Sequence, residues 1–254
     1  MRLRLFIQAV CSTTVLVCAV FGAESPDDLV AKGDIFDQKF QATEALECYL
    51  PAEKLEPTNV RVLVCIARQY RYLLADAKTR DEKLRLGGIA LNYAQKAAAL
   101  APDSAEAQLS VAISYGKMLP FMDTKSQFQA SPYIKAYAEK AIKLDPQNDL
   151  AWHVLGRWHR TLSDVNMLKR TVASFMYGQL PKTTTEKAVS CFEKAIEINP
   201  HRLMHYVELG RAYAQMGKTE EARRFIEKGL SMPSVEKDDP ETKRRGQEAL
   251  AKLQ

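Results

Sequence analysis

The side chains of this sequence best equipped for chemistry are cationic, and they fall in four groups: Arg61, Arg68, Arg71 and Tyr72; Lys117; His153, Arg157 and Arg160; and Arg211. A guanidinium takes a carboxylate through two parallel hydrogen bonds, so arginines at helical intervals suit the capture of an acidic chain. Catalytic groupings are missing. The sequence has no Gly-rich phosphate loop, nucleophile elbow or His-Glu-x-x-His. His201 and His205 lie four apart and can share a helix face, but they lack a third ligand and a nearby catalytic Glu, so neither metal nor cofactor is expected. His153 and His159, six apart, face different ways, and Trp152 and Trp158 read as packing between helices. These residue types predict a binding protein rather than an enzyme.

The elements that must position these cations are legible from four recurring phrases: Ala52-Glu53-Lys54-Leu55-Glu56-Pro57, Ala97-Ala98-Ala99-Leu100-Ala101-Pro102, Ala141-Ile142-Lys143-Leu144-Asp145-Pro146 and Ala195-Ile196-Glu197-Ile198-Asn199-Pro200. Each is the last turn of a helix stopped by a proline that cannot continue it. Working outward gives units of two helices. In the first, Leu29, Gly33, Phe36, Ala45, Tyr49, Ala52 and Pro57 match the 34-residue tetratricopeptide pattern, in which small residues let antiparallel helices approach. The units span 26–59, 60–104, 105–148, 149–202 and 203–236, and the extra length of the middle three falls between the helices of a unit. Thr79-Arg80-Asp81-Glu82 predicts a helix start, Ser131-Pro132 an N-cap with Pro at the first helical position, and Thr183-Thr184-Thr185-Glu186 a capping box. Val165, Leu168, Val172 and Phe175 are spaced as one face of an extra helix in the fourth unit. Residues 237–254 predict a capping helix with Ala249, Leu250 and Leu253 facing in. The expected fold is an all-α, tetratricopeptide-type solenoid of about five helix pairs, with inserts in units two to four.

In such stacks the concave surface is lined by the second, fifth, ninth, twelfth and thirteenth places of each unit's first helix. Those places hold the nine candidate residues above, while unit one supplies Asp27, Asp34 and Asp37. Arg68, Arg157 and Arg211 occupy the ninth place, where the chaperone-tail clamp of this superfamily needs Asn. The expected partner is a protein or peptide with an acidic extended segment, not a nucleic acid; the alternative is that these arginines pair with Asp and Glu of neighbouring units. A different class of role, assembly into an envelope or membrane-associated complex through the convex face and inserts, also fits the pattern.

Composition agrees with a folded binding module. Of 254 residues, 46% are hydrophobic and 26% charged, which excludes a disordered chain and a polytopic membrane protein. The net charge of +5 falls short of a dedicated nucleic-acid binder. Arg2 and Arg4, the uncharged stretch from Leu5 to Ala23 and the small residues Ala19, Gly22 and Ala23 read as a signal peptide over 1–23 followed by the repeat domain from 24 to 236. That predicts export to a periplasm or secretory lumen; the alternative is a membrane anchor over residues 5–23. Beyond that segment, Cys48, Cys65 and Cys191 read as buried filler, with a Cys48–Cys65 bridge as the alternative.

A narrower likeness sits in the fourth unit. Leu155-Gly156-Arg157-Trp158, then Lys169-Arg170-Thr171-Val172-Ala173-Ser174-Phe175-Met176-Tyr177-Gly178, then Pro181 and Ala188, resemble the regulator of microtubule dynamics family. That family pairs such a first helix with an Ala-Ser-x-x-Tyr-Gly-x-x-Pro insert. The resemblance implies a helical solenoid, no catalytic activity and, for animal members, association with microtubules and with membranes through an N-terminal segment.

Overall fold

The computed structural model describes residues 24–165 and 181–253, and all regular structure within them is helical. Eleven α-helices follow in order: α1 Pro26–Gln38, α2 Ala42–Leu55, α3 Val60–Asp76, α4 Arg80–Leu100, α5 Ala105–Met118, α6 Thr124–Leu144, α7 Asp149–Ser163, α8 Thr185–Ile198, α9 Leu203–Gln215, α10 Thr219–Ser231 and α11 Asp239–Ala251. The first ten pack as five consecutive pairs, and α11 lies against α9 and α10. First helices also touch their successors, α3 on α5, α5 on α7 and α7 on α9, whereas successive second helices make no comparable contact. The first helices therefore form the inner, concave surface of the solenoid.

Helix starts follow directly from the sequence. After three of the four prolines comes a capping residue: the side chains of Asn59, Ser104 and Asn148 accept backbone N–H bonds from Val62, Ala107 and Ala151 at 3.2, 3.2 and 3.1 Å. Thr79 caps α4 as its sequence predicts, accepting from the Glu82 N–H at 3.2 Å. Two expected starts are corrected. α6 begins at Thr124, capped by Asp123, so Pro132 lies inside the helix and Ser131 is a buried helical residue. Its carbonyl and hydroxyl accept the indole N–H of buried Trp158 at 2.9 and 3.0 Å. At α8, Thr184 makes no capping bond, and the Thr183 hydroxyl contacts His159 instead. The inserts of units two and three are absorbed by lengthening the second helices: α4 and α6 each run 21 residues, against 14 for α2 and 13 for α10.

Close approach within pairs rests on glycines at equivalent places. A methyl group built on Gly156 would stand 2.8 Å from the Phe192 ring, and one on Gly210 would stand 2.8 Å from the Ala222 carbonyl oxygen. Larger side chains there must push the helices apart. The three cysteines among the described residues are free; Cys65 and Cys191 are buried and Cys48 half-buried. Residues 1–23, the expected insert helix at Leu168, Val172 and Phe175, and the family-like stretch Lys169–Gly178 lie outside the described residues.

Candidate functional site: an ionic groove on the concave face

The N-terminal end of the groove is neutralised by unit one. Arg61 pairs with Asp34, which also accepts the Tyr49 hydroxyl at 2.7 Å, and Arg68 meets Asp37 at 2.6 Å. Arg61 is exposed, and Arg68 only partly shielded. Tyr72 sits beside them on α3, its hydroxyl pushed up to about 12 by burial and by Asp37.

The middle is different. Arg71 is 7% exposed and donates to the hydroxyls of Ser110 and Ser114 at 2.9 and 3.1 Å. Burial pulls its guanidinium down to about 10. Arg157 is likewise lowered to about 10 by burial, with the attraction of Glu208 opposed by repulsion from Arg245, Arg160 and Arg211. Among the described residues, neither Arg71 nor Arg157 has a carboxylate in ion-pair contact. Lys117, held below its usual value by burial, pairs with Asp238 from the segment that precedes α11.

At the C-terminal end the charges are buried around Glu208, which is fully inaccessible. Arg211 donates to its carboxylate at 2.7 Å, while Arg160 and Arg245 stand at 3.2 and 3.7 Å. Burial alone raises a carboxyl pKa; here Arg160, Arg157, Arg211 and Arg245 outweigh it and hold Glu208 far below the usual range. Beside this cluster runs a buried relay. His205 Nε2 lies 2.9 Å from Asp149, and its Nδ1 lies 3.0 Å from His153 Nδ1. With both imidazoles neutral, the bonding has one consistent direction: His205 Nε2–H donates to the carboxylate, and His153 Nδ1–H donates to His205 Nδ1. Burial lowers both histidines.

The fifth unit breaks the capping rule. Pro200-His201-Arg202 puts Arg202 where the other units carry Asn or Ser, and it makes no capping bond, a change that costs a helix about 1 kcal/mol. Its guanidinium instead pairs with Asp149 at 2.9 Å and with Glu236 at 3.0 Å. Glu236 belongs to the same connecting segment as Asp238, and between them Lys237 reaches Asp76 at the end of α3, 2.8 Å away. Residues 233–239 thus cross the concave face from unit five to units three and two.

Of the nine residues picked from sequence, the structure gathers Arg160 and Arg211 around Glu208, with His153 alongside on α7. It places Arg71, Lys117 and Arg157 in the centre, and Arg61, Arg68 and Tyr72 at the far end. Pairing with acids of neighbouring units holds for Arg61, Arg68 and Arg160; Arg211 pairs within its own helix. Sequence reasoning missed Glu208, Arg245, Asp238, Arg202 and the partnership of His205 with His153. Arg202 at a cap position was the one visible signal. His205 does not pair with His201, whose backbone N–H bonds Asn199. α11 also differs from expectation: Asp239, Thr242 and Gly246 are its buried residues, and Ala249, Leu250 and Leu253 are only half-buried.

These features define a tetratricopeptide solenoid. The fold is similar to that of a thermophilic tetratricopeptide protein of Thermus thermophilus, with a TM-score of 0.65 at 17% identity over 89% of this chain and 100% of that one. It is also similar to MamA of Desulfovibrio magneticus, with a TM-score of 0.53 at 13% identity over 83% of this chain and 96% of that one. The particular family follows from sequence: the model of regulator of microtubule dynamics proteins 1–3 matches residues 29–254, and the chain belongs to that family. Mouse regulator of microtubule dynamics protein 2 is 24% identical over 74% of this chain and 46% of its own length. Mouse protein 1 is 24% identical over 89% and 74%, and the Caenorhabditis elegans protein 1 is 26% identical over 58% and 66%. The chain spans about half the length of the protein 2 relatives. Membership corrects the expected export to a periplasm or lumen: curated relatives are regulators of microtubule dynamics, and microtubules are absent from both compartments. The anchor over 5–23 given as its alternative lies outside the described residues. Among the described residues no helix is long and apolar enough to cross a membrane.

Proposed function

We propose that this chain is a non-catalytic scaffold whose concave groove receives an acidic, extended segment of a protein partner, in the service of microtubule regulation as the names of its relatives indicate. One observation carries the reading. The centre of the groove holds Arg71, Lys117 and Arg157, and among the described residues the single carboxylate in ion-pair contact with any of them, Asp238, comes from outside the helix pairs. Cations concentrated in a half-buried concavity attract acidic segments and keep much of their strength against salt. A solenoid interior also matches the length of an extended peptide better than a point ligand.

The test is binding of a fluorescent acidic decapeptide and of its basic counterpart, followed by anisotropy across a salt series. Selective binding of the acidic peptide that weakens as salt rises is expected. Equal or absent binding of the two peptides would remove the groove from the account. Co-sedimentation with polymerised tubulin, with the acidic peptide as competitor, links the groove to the family's role: the peptide should reduce the pelleted fraction.

A further inference from the structure

The segment joining α10 to α11 resembles a ligand more than a linker. Its residues Glu236, Lys237 and Asp238 touch units five, two and three in turn, through Arg202, Asp76 and Lys117. No apolar side chain anchors it, since Val235 is 59% exposed. The cations it meets are reachable from solvent, with side chains 21% exposed at Arg202 and 24% at Lys117, unlike Glu208 at 0%. Arg202, a donor-only side chain at a cap position, is turned to Asp149 and to this segment's Glu236.

We propose that residues 233–238 are a built-in occupant of the cationic centre, and that a partner's acidic segment binds by displacing them. This rests on the reading of the groove given above and names its occupant and its regulation. The occupant also describes the partner. Two carboxylates two residues apart fit Arg202 and Lys117, and Asp76 opposite the intervening residue selects against a third acid there. The favoured segment is therefore acidic-x-acidic with a basic or neutral centre. Displacement leaves α11 in place: Asp239, Thr242 and Gly246 stay buried, and Asp239, whose carboxylate accepts the Val235 and Glu236 N–H groups at 2.8 Å, is the hinge at which the segment joins the helix. While the segment is bound, only the open fraction of molecules can accept a partner, and apparent affinity falls by that fraction.

The experiment compares the wild-type chain with the isosteric double variant Glu236→Gln, Asp238→Asn. The probe is a labelled decapeptide of neutral residues around a central Glu-Lys-Asp, followed by anisotropy. The variant should bind at least about fivefold tighter than wild type. Adding Lys117→Gln to it should abolish that gain. Glu236→Gln alone leaves Arg202 its Asp149 partner, is the milder change for folding, and should move affinity the same way by less. Equal affinity of wild type and both strap variants would overturn the displacement while leaving the groove standing. Absence of binding to all of them would overturn both. A probe with Glu-Glu-Asp at its centre binding as tightly as Glu-Lys-Asp would overturn the role given to Asp76.

Discussion

The two ends of the groove carry the same residue type and use it differently. At the N-terminal end Arg61 and Arg68 each have their own aspartate from unit one, Arg61 lying toward solvent and the Arg68–Asp37 pair partly shielded. At the C-terminal end Arg160, Arg211 and Arg245 share one buried carboxylate, Glu208. A pair with an exposed guanidinium, such as Arg61–Asp34, contributes little, because water already solvates the cation and the side chains lose freedom by pairing. Buried charges of the second kind are dependent on one another: each was removed from water, and losing the common counter-charge leaves the others uncompensated. Arginine count is therefore a poor guide to what a groove does. The excess of cations over anions in each stretch, and its burial, is the better one.

The contrast is sharpened most by removing the acids. Glu208→Gln should destabilise the fold by about 3–5 kcal/mol, read as a lower urea midpoint with unchanged slope. A cost under about 1 kcal/mol would mean the cluster is solvated after all. Packing, by contrast, should be equal at the two ends. Gly33 faces Tyr49 as Gly156 faces Phe192, with a built methyl at 2.5 and 2.8 Å, so Gly33→Leu and Gly156→Leu should each cost about 1–3 kcal/mol. A large cost at one end only would show that unit register, not charge, distinguishes the halves.

Acid should also separate them, since all four histidines lie between residues 153 and 205. His153 and His205 are lowered by burial, and His159 is lowered to about 4 by burial and by Lys187 and Lys135. Asp149, Glu208 and Glu139 oppose these shifts without reversing them. In the unfolded chain these imidazoles titrate near about 6.5, so below that pH the unfolded state binds more protons than the native one. The stabilising effect of neutral burial is fully present above about 6.5 and is lost as pH falls toward 4. Amides of α7 and α9 should lose hydrogen-exchange protection between pH 7.5 and 5 while those of α2 and α3 keep theirs; uniform loss would contradict this. The smallest effect is expected from Arg61→Gln, whose side chain is 59% exposed and which should change stability by less than about 1 kcal/mol in the same urea titration.

Much of this was legible in the chain. Proline after an Ala-x-x-Leu or Ala-x-x-Ile turn marked where second helices stop, and the unit bounds drawn from it at 60, 105, 149 and 203 coincide with the first residues of α3, α5, α7 and α9, because both are local effects of backbone geometry. The places of Arg68, Arg157 and Arg211 on the concave side followed from the same register. Their partners did not. His153 and His205 meet across 52 residues and Lys117 and Asp238 across 121, and no local pattern encodes a contact that depends on the solenoid's curvature. Thr124 was missed as the start of α6 because Pro132 looked like a first-turn proline, when the helix in fact accommodates it in its interior. α11 was misread because helices that dock through Gly and Thr leave no apolar stripe to recognise.

The central claim is that the middle of the groove, not its neutralised end, captures the acidic segment. It is tested most directly by titrating the labelled Glu-Lys-Asp decapeptide against two variants side by side: Arg61→Gln with Arg68→Gln, and Lys117→Gln with Arg157→Gln. The account predicts near wild-type affinity for the first and at least about tenfold weaker binding with a flatter salt dependence for the second, since two central cations are gone. Equal weakening in the two variants, or loss in the first alone, would contradict it.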